Sequence, residues 1–224
     1  MFIGHFAPAF IAAAAIPERP RLGTMFVAAQ LVDWGFFTLA LIGVERMRID
    51  PGASVMVPFD LYHMPYTHSL AGTAIWAAVF LLVVALHQRS WLAGLLAGLV
   101  VASHWLLDVI VHVPDLTLAG APPKLGLGLW NHPWAAMPLE LALVALALGH
   151  YLRRTRGPAG PPLVLAGVML LFQLVNWFAP HPAEAGALLY LQALLAFAVL
   201  SALAAWVGKN RWPRQRGGLA LSAR

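Results

Sequence analysis

Apolar residues run along this chain in long blocks separated by short polar stretches, without the one-face periodicity of a soluble surface helix. Seven blocks are legible, at 2–16, 22–44, 67–87, 91–112, 134–152, 162–179 and 185–207. A helix needs roughly 20 apolar residues to cross a hydrocarbon core of about 30 Å, and all but the first approach that length. The first is short and contains Pro8, so it is expected to be tilted, kinked or only partly inserted. The predicted fold class is all-α: a polytopic membrane helix bundle of about seven transmembrane segments. Residues 1–208 form one integral-membrane domain, and 209–224 form a basic tail.

Composition supports that class, with 61% hydrophobic and only 10% charged residues. Charge adds a direction. If every block crosses, Arg19, Arg21, Arg89, Arg153, Arg154, Arg156, Lys209, Arg211, Arg214, Arg216 and Arg224 fall on one side. The other side holds only Arg46, Arg48 and Lys124. Cytoplasmic loops are enriched in Lys and Arg, so the C-terminus is expected inside and the N-terminus outside, in a bacterial inner membrane. The net charge of +5 is then a topology signal and implies no nucleic-acid partner. The tail also offers charge to anionic membrane lipids. The start lacks the positive n-region of a signal peptide, so it is read as a retained helix. No cysteine is present, which excludes disulfides, thiolate nucleophiles and thiolate metal sites. Gly94 and Gly98 of "GLLAG" match a small-xxx-small pattern, read as close packing within the bundle.

With the spans laid down, the ionisable groups collect in one leaflet. The stretch "SHWLLDVIVHVPD" places His104, Asp108 and His112 in the outer half of the fourth block. His68 of "PYTHSL" opens the third block, and His5 of "GHFAPAF" lies near the start of the first. Asp33 sits mid-membrane in the second; His132 opens the fifth, with Glu140 about two turns deeper. Such groups are costly in lipid and face a bundle interior or a wet cavity. Residues four apart stack on a helix, so His104 and Asp108 can grip one ion. His112 lies roughly 12 Å from His104 along the axis and suits a second ion or an outer shell. Imidazole and carboxylate without thiolate point to zinc, with manganese or iron(II) as alternatives.

These residues resemble a known family. The N-terminal "GH", the intramembrane Asp33, "YTHS", and "SHWLLD" followed by "HVPD" are similar to the YdjM-like family of membrane-bound metal-dependent hydrolases. That family is in turn distantly similar to zinc-dependent phospholipase C and the P1-type nucleases. The resemblance covers about residues 1–140 and implies a metal site holding one to three divalent ions, zinc first. It implies His5, Asp33, His68, His104 and Asp108 as ligands, His112 as a further one, His132 as another candidate and Glu140 as the last carboxylate. The expected function is hydrolysis of an ester or phosphoester bond in a lipid or periplasmic substrate through metal-bound hydroxide, with Asp33 or Glu140 handling protons.

Other readings stay open. The same His/Asp set can serve a metal-ion or proton-coupled transporter, or a metal-stabilised membrane protein without turnover. His104 with Asp108 can be a buried hydrogen-bonded pair, and His132 beside Trp130 and Trp134 suits an interfacial belt. Asp60 and His63 are read as solvated, as are Arg46 and Arg48, and Asp115 too unless the "HVPD" turn aims it inward. Gln173 and Asn176 are expected to make interhelical hydrogen bonds. Ser69 and Ser103 neighbour histidines in sequence but point elsewhere on a helix, so neither is read as a nucleophile.

Overall fold

The computed structural model describes residues 1–15 and 21–214. Arg19, Arg216 and Arg224 of the charge argument, the first interhelical turn at 17–20 and most of the tail lie outside the described residues. The chain is mostly helical: α1 Phe6–Ala15, α2 Leu22–Ala29, α3 Leu31–Leu41, α4 Leu70–Gln88, α5 Trp91–Val111, α6 Pro133–Arg154, α7 Gly160–Phe178 and α8 Ala187–Lys209.

Five of these, α4 to α8, are long and apolar enough to cross a membrane. A sixth span arises if α2 and α3 are taken together, although they meet at a 52° bend. Among the described residues the first block is not long enough to count as a span: its helix from Ile3 to Ala15 reaches about 20 Å at 1.5 Å per residue, in line with the expectation of a tilted, kinked or partly inserted segment. Its position explains how so short a helix is kept. Phe6, Ala9 and Phe10 are wholly buried, and α1 packs against α2, α5 and α6.

The outer helices carry the reverse pattern. Leu82, Val83 and Leu86 on α4, Leu95 and Leu99 on α5, and Leu171 and Val175 on α7 all point outward. An apolar surface this continuous requires a partner other than water, and lipid fits the lengths of the helices.

Ser69 and Ser90 cap α4 and α5 by accepting from the Gly72 and Ala93 N–H groups, at 3.0 and 3.2 Å. Between these helices Gly94 and Gly98 face α4 closely: a Cβ on Gly94 would lie 2.6 Å from that of Ala85. The small-residue pattern thus serves packing within the bundle.

The two Pro- and Gly-rich loops are not structureless. The first holds an antiparallel pair, β1 Arg46–Ile49 and β2 Phe59–His63, irregular at Met47. The second holds β3 Leu116–Thr117 against β4 Lys124–Leu125. A third pair, β5 Thr155–Arg156 and β6 Trp212–Pro213, ties the end of α6 to the residues after α8.

Candidate metal centre

The bend between α2 and α3 creates one wall of the site. A helix end leaves its last carbonyls free for other donors, and the Ala29 carbonyl accepts from His104 Nδ1 at 2.9 Å. Just beyond the bend, Asp33 falls in the first turn of α3. His68 stands in the turn before α4. His104 and Asp108 stack one turn apart on α5, and His112 terminates that helix in an extended conformation. His5 ends the short turn that leads into α1.

Four ligand-type atoms converge. His104 Nε2 lies 3.1 Å from Asp108 Oδ2 and 3.6 Å from Asp33 Oδ1. His68 Nε2 lies 3.3 Å from Asp33 Oδ1 and 3.8 Å from Asp108 Oδ2. Ligand atoms about 2.1 Å from one ion stand roughly 3.4 Å apart, close to the separations of His68 and His104 from Asp33, with which they form a triad able to hold an ion. The other oxygen of Asp108 faces a second set: His5 Nε2 at 3.0 Å, His112 Nε2 at 3.4 Å and the Met1 amine at 3.2 Å. The His5 and His104 rings stack with centroids 3.7 Å apart.

Protonation follows from the outward partners. The carbonyl of Ala29 only accepts, so His104 carries a proton on Nδ1 and turns Nε2 toward the carboxylates. Asp115 accepts from His112 Nδ1 at 2.9 Å, with the same consequence. The third case takes two steps. Thr67 Oγ1 donates to Glu45 Oε2 at 2.6 Å, so it must accept from His68 Nδ1 at 2.9 Å. Three imidazole Nε2 atoms therefore point toward two carboxylates, an arrangement that needs a proton or a metal ion among them. His104 Nε2 and Asp108 Oδ2 are buried, close, and not hydrogen-bonded to each other or to any other group.

Charge balance makes the same demand. Glu45, Asp108, Asp115 and Glu140 are buried, while no Lys or Arg is buried among the described residues. Uncompensated buried charge costs several kcal/mol per ion. Backbone N–H donors satisfy Glu45 and Glu140 locally; in the cluster the Met1 amine donates to Asp108 Oδ1 at 3.2 Å and His112 to Asp115 at 2.9 Å. The buried His and Asp groups can hold a metal ion, and they divide into two triads sharing His104: His5, His104 and Asp108, and Asp33, His68 and His104. Neither a family model, nor a curated protein, nor a solved structure matches this chain. The site rests on its own geometry.

Two expected ligands are in neither triad. His132 is exposed at the start of α6, its ring 6.2 Å from that of Trp134, away from the cluster. Glu140 is buried but engaged: Oε1 accepts from the Phe2 and Gly4 N–H groups at 2.6 and 2.9 Å, and Oε2 from Gln173 Nε2 at 3.2 Å. It holds the turn that carries His5 and also lines the cavity beside the cluster.

Sequence reasoning also missed partners. For Asp115 the second of the two readings holds: the "HVPD" turn aims it inward, at His112. Glu45 and Thr67 carried no signal, since Glu45 sits among surface charges in sequence. Arg48 does pair at the surface, with Asp60 at 2.7 Å, and Gln173 makes the expected interhelical bonds. Ser69 and Ser103 bond the Pro65 and Val100 carbonyls, consistent with structural roles.

Proposed function

We propose that this chain is a membrane-embedded, metal-dependent hydrolase of ester or phosphoester bonds, as its resemblance to the YdjM-like family implies. The observation that carries the reading is the pair of buried His/Asp triads that share His104, with the rings of His68, His104 and His112 held from behind. Asp33, His68 and His104, or His5, His104 and Asp108, would hold an ion, and His112 beside the other oxygen of Asp108 is a further candidate. Zinc is favoured by the donor set. A divalent ion so held supplies Lewis acidity and lowers the pKa of water.

The chain's own groups do the rest. Asp33 is the carboxylate of the cluster with surface toward the adjoining cavity, its side chain 18% exposed. Its Oδ2, the oxygen turned from both histidines, is placed to take a proton from an attacking water and return it to the leaving oxygen. Phe36 against the His68 ring and Trp130 against the His112 ring keep bulk water from the cluster.

Transport by the same residues is less well supported. Toward the arginine-rich ends of the helices the core is Phe10, Ala13, Leu22, Phe26, Leu165 and Val207, which offers an ion no relay. In this reading the protein lies in a bacterial inner membrane, with the cluster toward the outer side.

The test is elemental analysis of detergent-purified protein, beside Asp108→Ala and the isosteric Asp108→Asn. At least one divalent equivalent is expected in the parent, lost in both variants, with metal-dependent turnover of a phosphodiester or ester. Folded parent protein that never met a chelator and still contains no metal would sink the reading.

A further inference from the structure

A cavity of about 630 Å³ adjoins the cluster, a volume in the range of small-molecule sites. One end is polar: His5, Asp33, His68, Asp108 and His112 line it. Everything beyond is mainly apolar. Phe36 and Phe37 come from α3, Phe172 and Val175 from α7, Ala193 and Phe197 from α8, and Met47, Met56 and Phe59 from the first hairpin loop.

Two features decide what fits. No Lys or Arg is among its lining residues. A nucleotide or sugar phosphate carries several negative charges and is gripped by such side chains, so the cavity does not suit a soluble polyanion. The second feature is where it opens. Val175 and Leu195 both line the cavity and are 55% and 64% exposed on the outer surface of α7 and α8. The space therefore reaches the outside between two helices long enough to span a membrane, on a surface where lipid chains would lie. A ligand entering by that route comes from the bilayer.

We infer that the cavity holds the hydrocarbon chain of a membrane lipid, entering between α7 and α8, with the lipid's ester or phosphodiester group at the His/Asp cluster. This rests on the hydrolase reading for the chemistry, but not for the binding. The chain passes from bilayer to protein with little change in apolar burial, so the cavity selects by shape. Filling it with side-chain atoms should exclude the lipid.

The experiment reconstitutes the full chain in vesicles of phosphatidylethanolamine and phosphatidylglycerol. A fraction of the phosphatidylglycerol carries a diazirine at the end of one acyl chain. Irradiation and peptide mapping are expected to place adducts on the cavity faces of α7 and α8, around Phe172, Ala193 and Phe197. Cavity adducts should fall about tenfold in Ala193→Trp and, separately, in Ala196→Phe, given the cost of overpacking an occupied space. Leu188→Trp, on the exposed face of α8, should leave them unchanged. Adducts confined to outward residues such as Leu188 and Leu191, and indifferent to both filling variants, overturn the proposal.

Cleavage of the same lipid and of bis(p-nitrophenyl) phosphate, which has no chain, separates the two readings. Cavity adducts without cleavage of either leave the lipid site standing and remove the hydrolase. Cleavage of bis(p-nitrophenyl) phosphate without cavity adducts does the reverse.

Discussion

His68 shows how much of this site is made by residues that do not belong to it. Its Nε2 faces Asp33 and Asp108, but what holds the ring in that orientation is Thr67, whose own proton is claimed by the buried carboxylate of Glu45. Partners of this kind set both ring orientation and ligand basicity, and losing one typically costs about 10- to 100-fold in metal affinity. Thr67→Val keeps the shape and deletes the hydroxyl, so metal affinity should fall by about that factor while thermal stability in detergent changes little. Thr67→Ser should restore it; competition with a graded series of chelators reads both. Equal affinity in all three proteins would reduce Thr67 to a packing residue. The clustered His and Asp residues were legible in the sequence, because an ionisable side chain in an apolar block needs a reason. The partners were not. Glu45 lies at the end of a block among Arg46, Arg48 and Asp50, and only the turn at Tyr66–Thr67, more than twenty residues on, brings the N–H donors that bury it.

At the scale of elements, the apolar blocks gave all the helices but not their continuity. The second block reads as one run from 22 to 44, and nothing in Gln30 marks a break. The bend is tertiary in origin: Gln30 Nε2 donates to the Phe2 carbonyl at 3.1 Å, and the neighbouring Ala29 carbonyl turns to His104. The hairpins were hidden for a related reason, since β1 and β2 pair across nine residues of loop that shows no strand alternation. Close packing was legible, because small residues at i and i+4 have few other uses in a membrane helix. It also predicts a cost. A Cβ on Gly94 meets both the Ala85 Cβ and the Leu81 carbonyl at 2.6 Å. Gly94→Val should therefore push α4 from α5 and destabilise the bundle by about 1 to 3 kcal/mol. Gly167→Ala, where a Cβ would meet nothing within 4 Å, should leave it unchanged or slightly firmer. Thermal unfolding in one detergent compares the two, and equal midpoints would mean that α4 and α5 are not packed as described.

Across the whole molecule, polarity is separated end to end. Along α4, α5 and α6 the histidines and carboxylates of the site come at one end, while Arg89, Arg153 and Arg154 stand at the other. The arginine-rich end is also where Arg211 braces β5, donating to Thr155 Oγ1 at 2.8 Å and to the Thr155 carbonyl at 3.1 Å. Lys and Arg near span ends set the orientation of a membrane protein. The loop holding β1 and β2 should therefore face outward, and the turn after α8 should face the cytoplasm. The count of crossings enters this argument directly. A first helix too short to cross leaves both of those ends in place, and the Met1 amine stays beside Asp108 in the cluster. The absence of cysteine makes a clean test available, because each introduced thiol is the sole one in the chain. Val55→Cys, at an exposed position between β1 and β2, and Lys209→Cys, at the end of α8, report on opposite ends. In intact cells with a permeable outer envelope, a membrane-impermeant maleimide should label Val55→Cys alone, and both variants once the inner membrane is opened. Labelling of Lys209→Cys alone would turn the molecule over. The site would then draw its lipid from the cytoplasmic leaflet, and the charge asymmetry would need another cause. Labelling at Val55 alone puts the cluster at the outer leaflet, so a lipid reaching it between α7 and α8 has to come from that side.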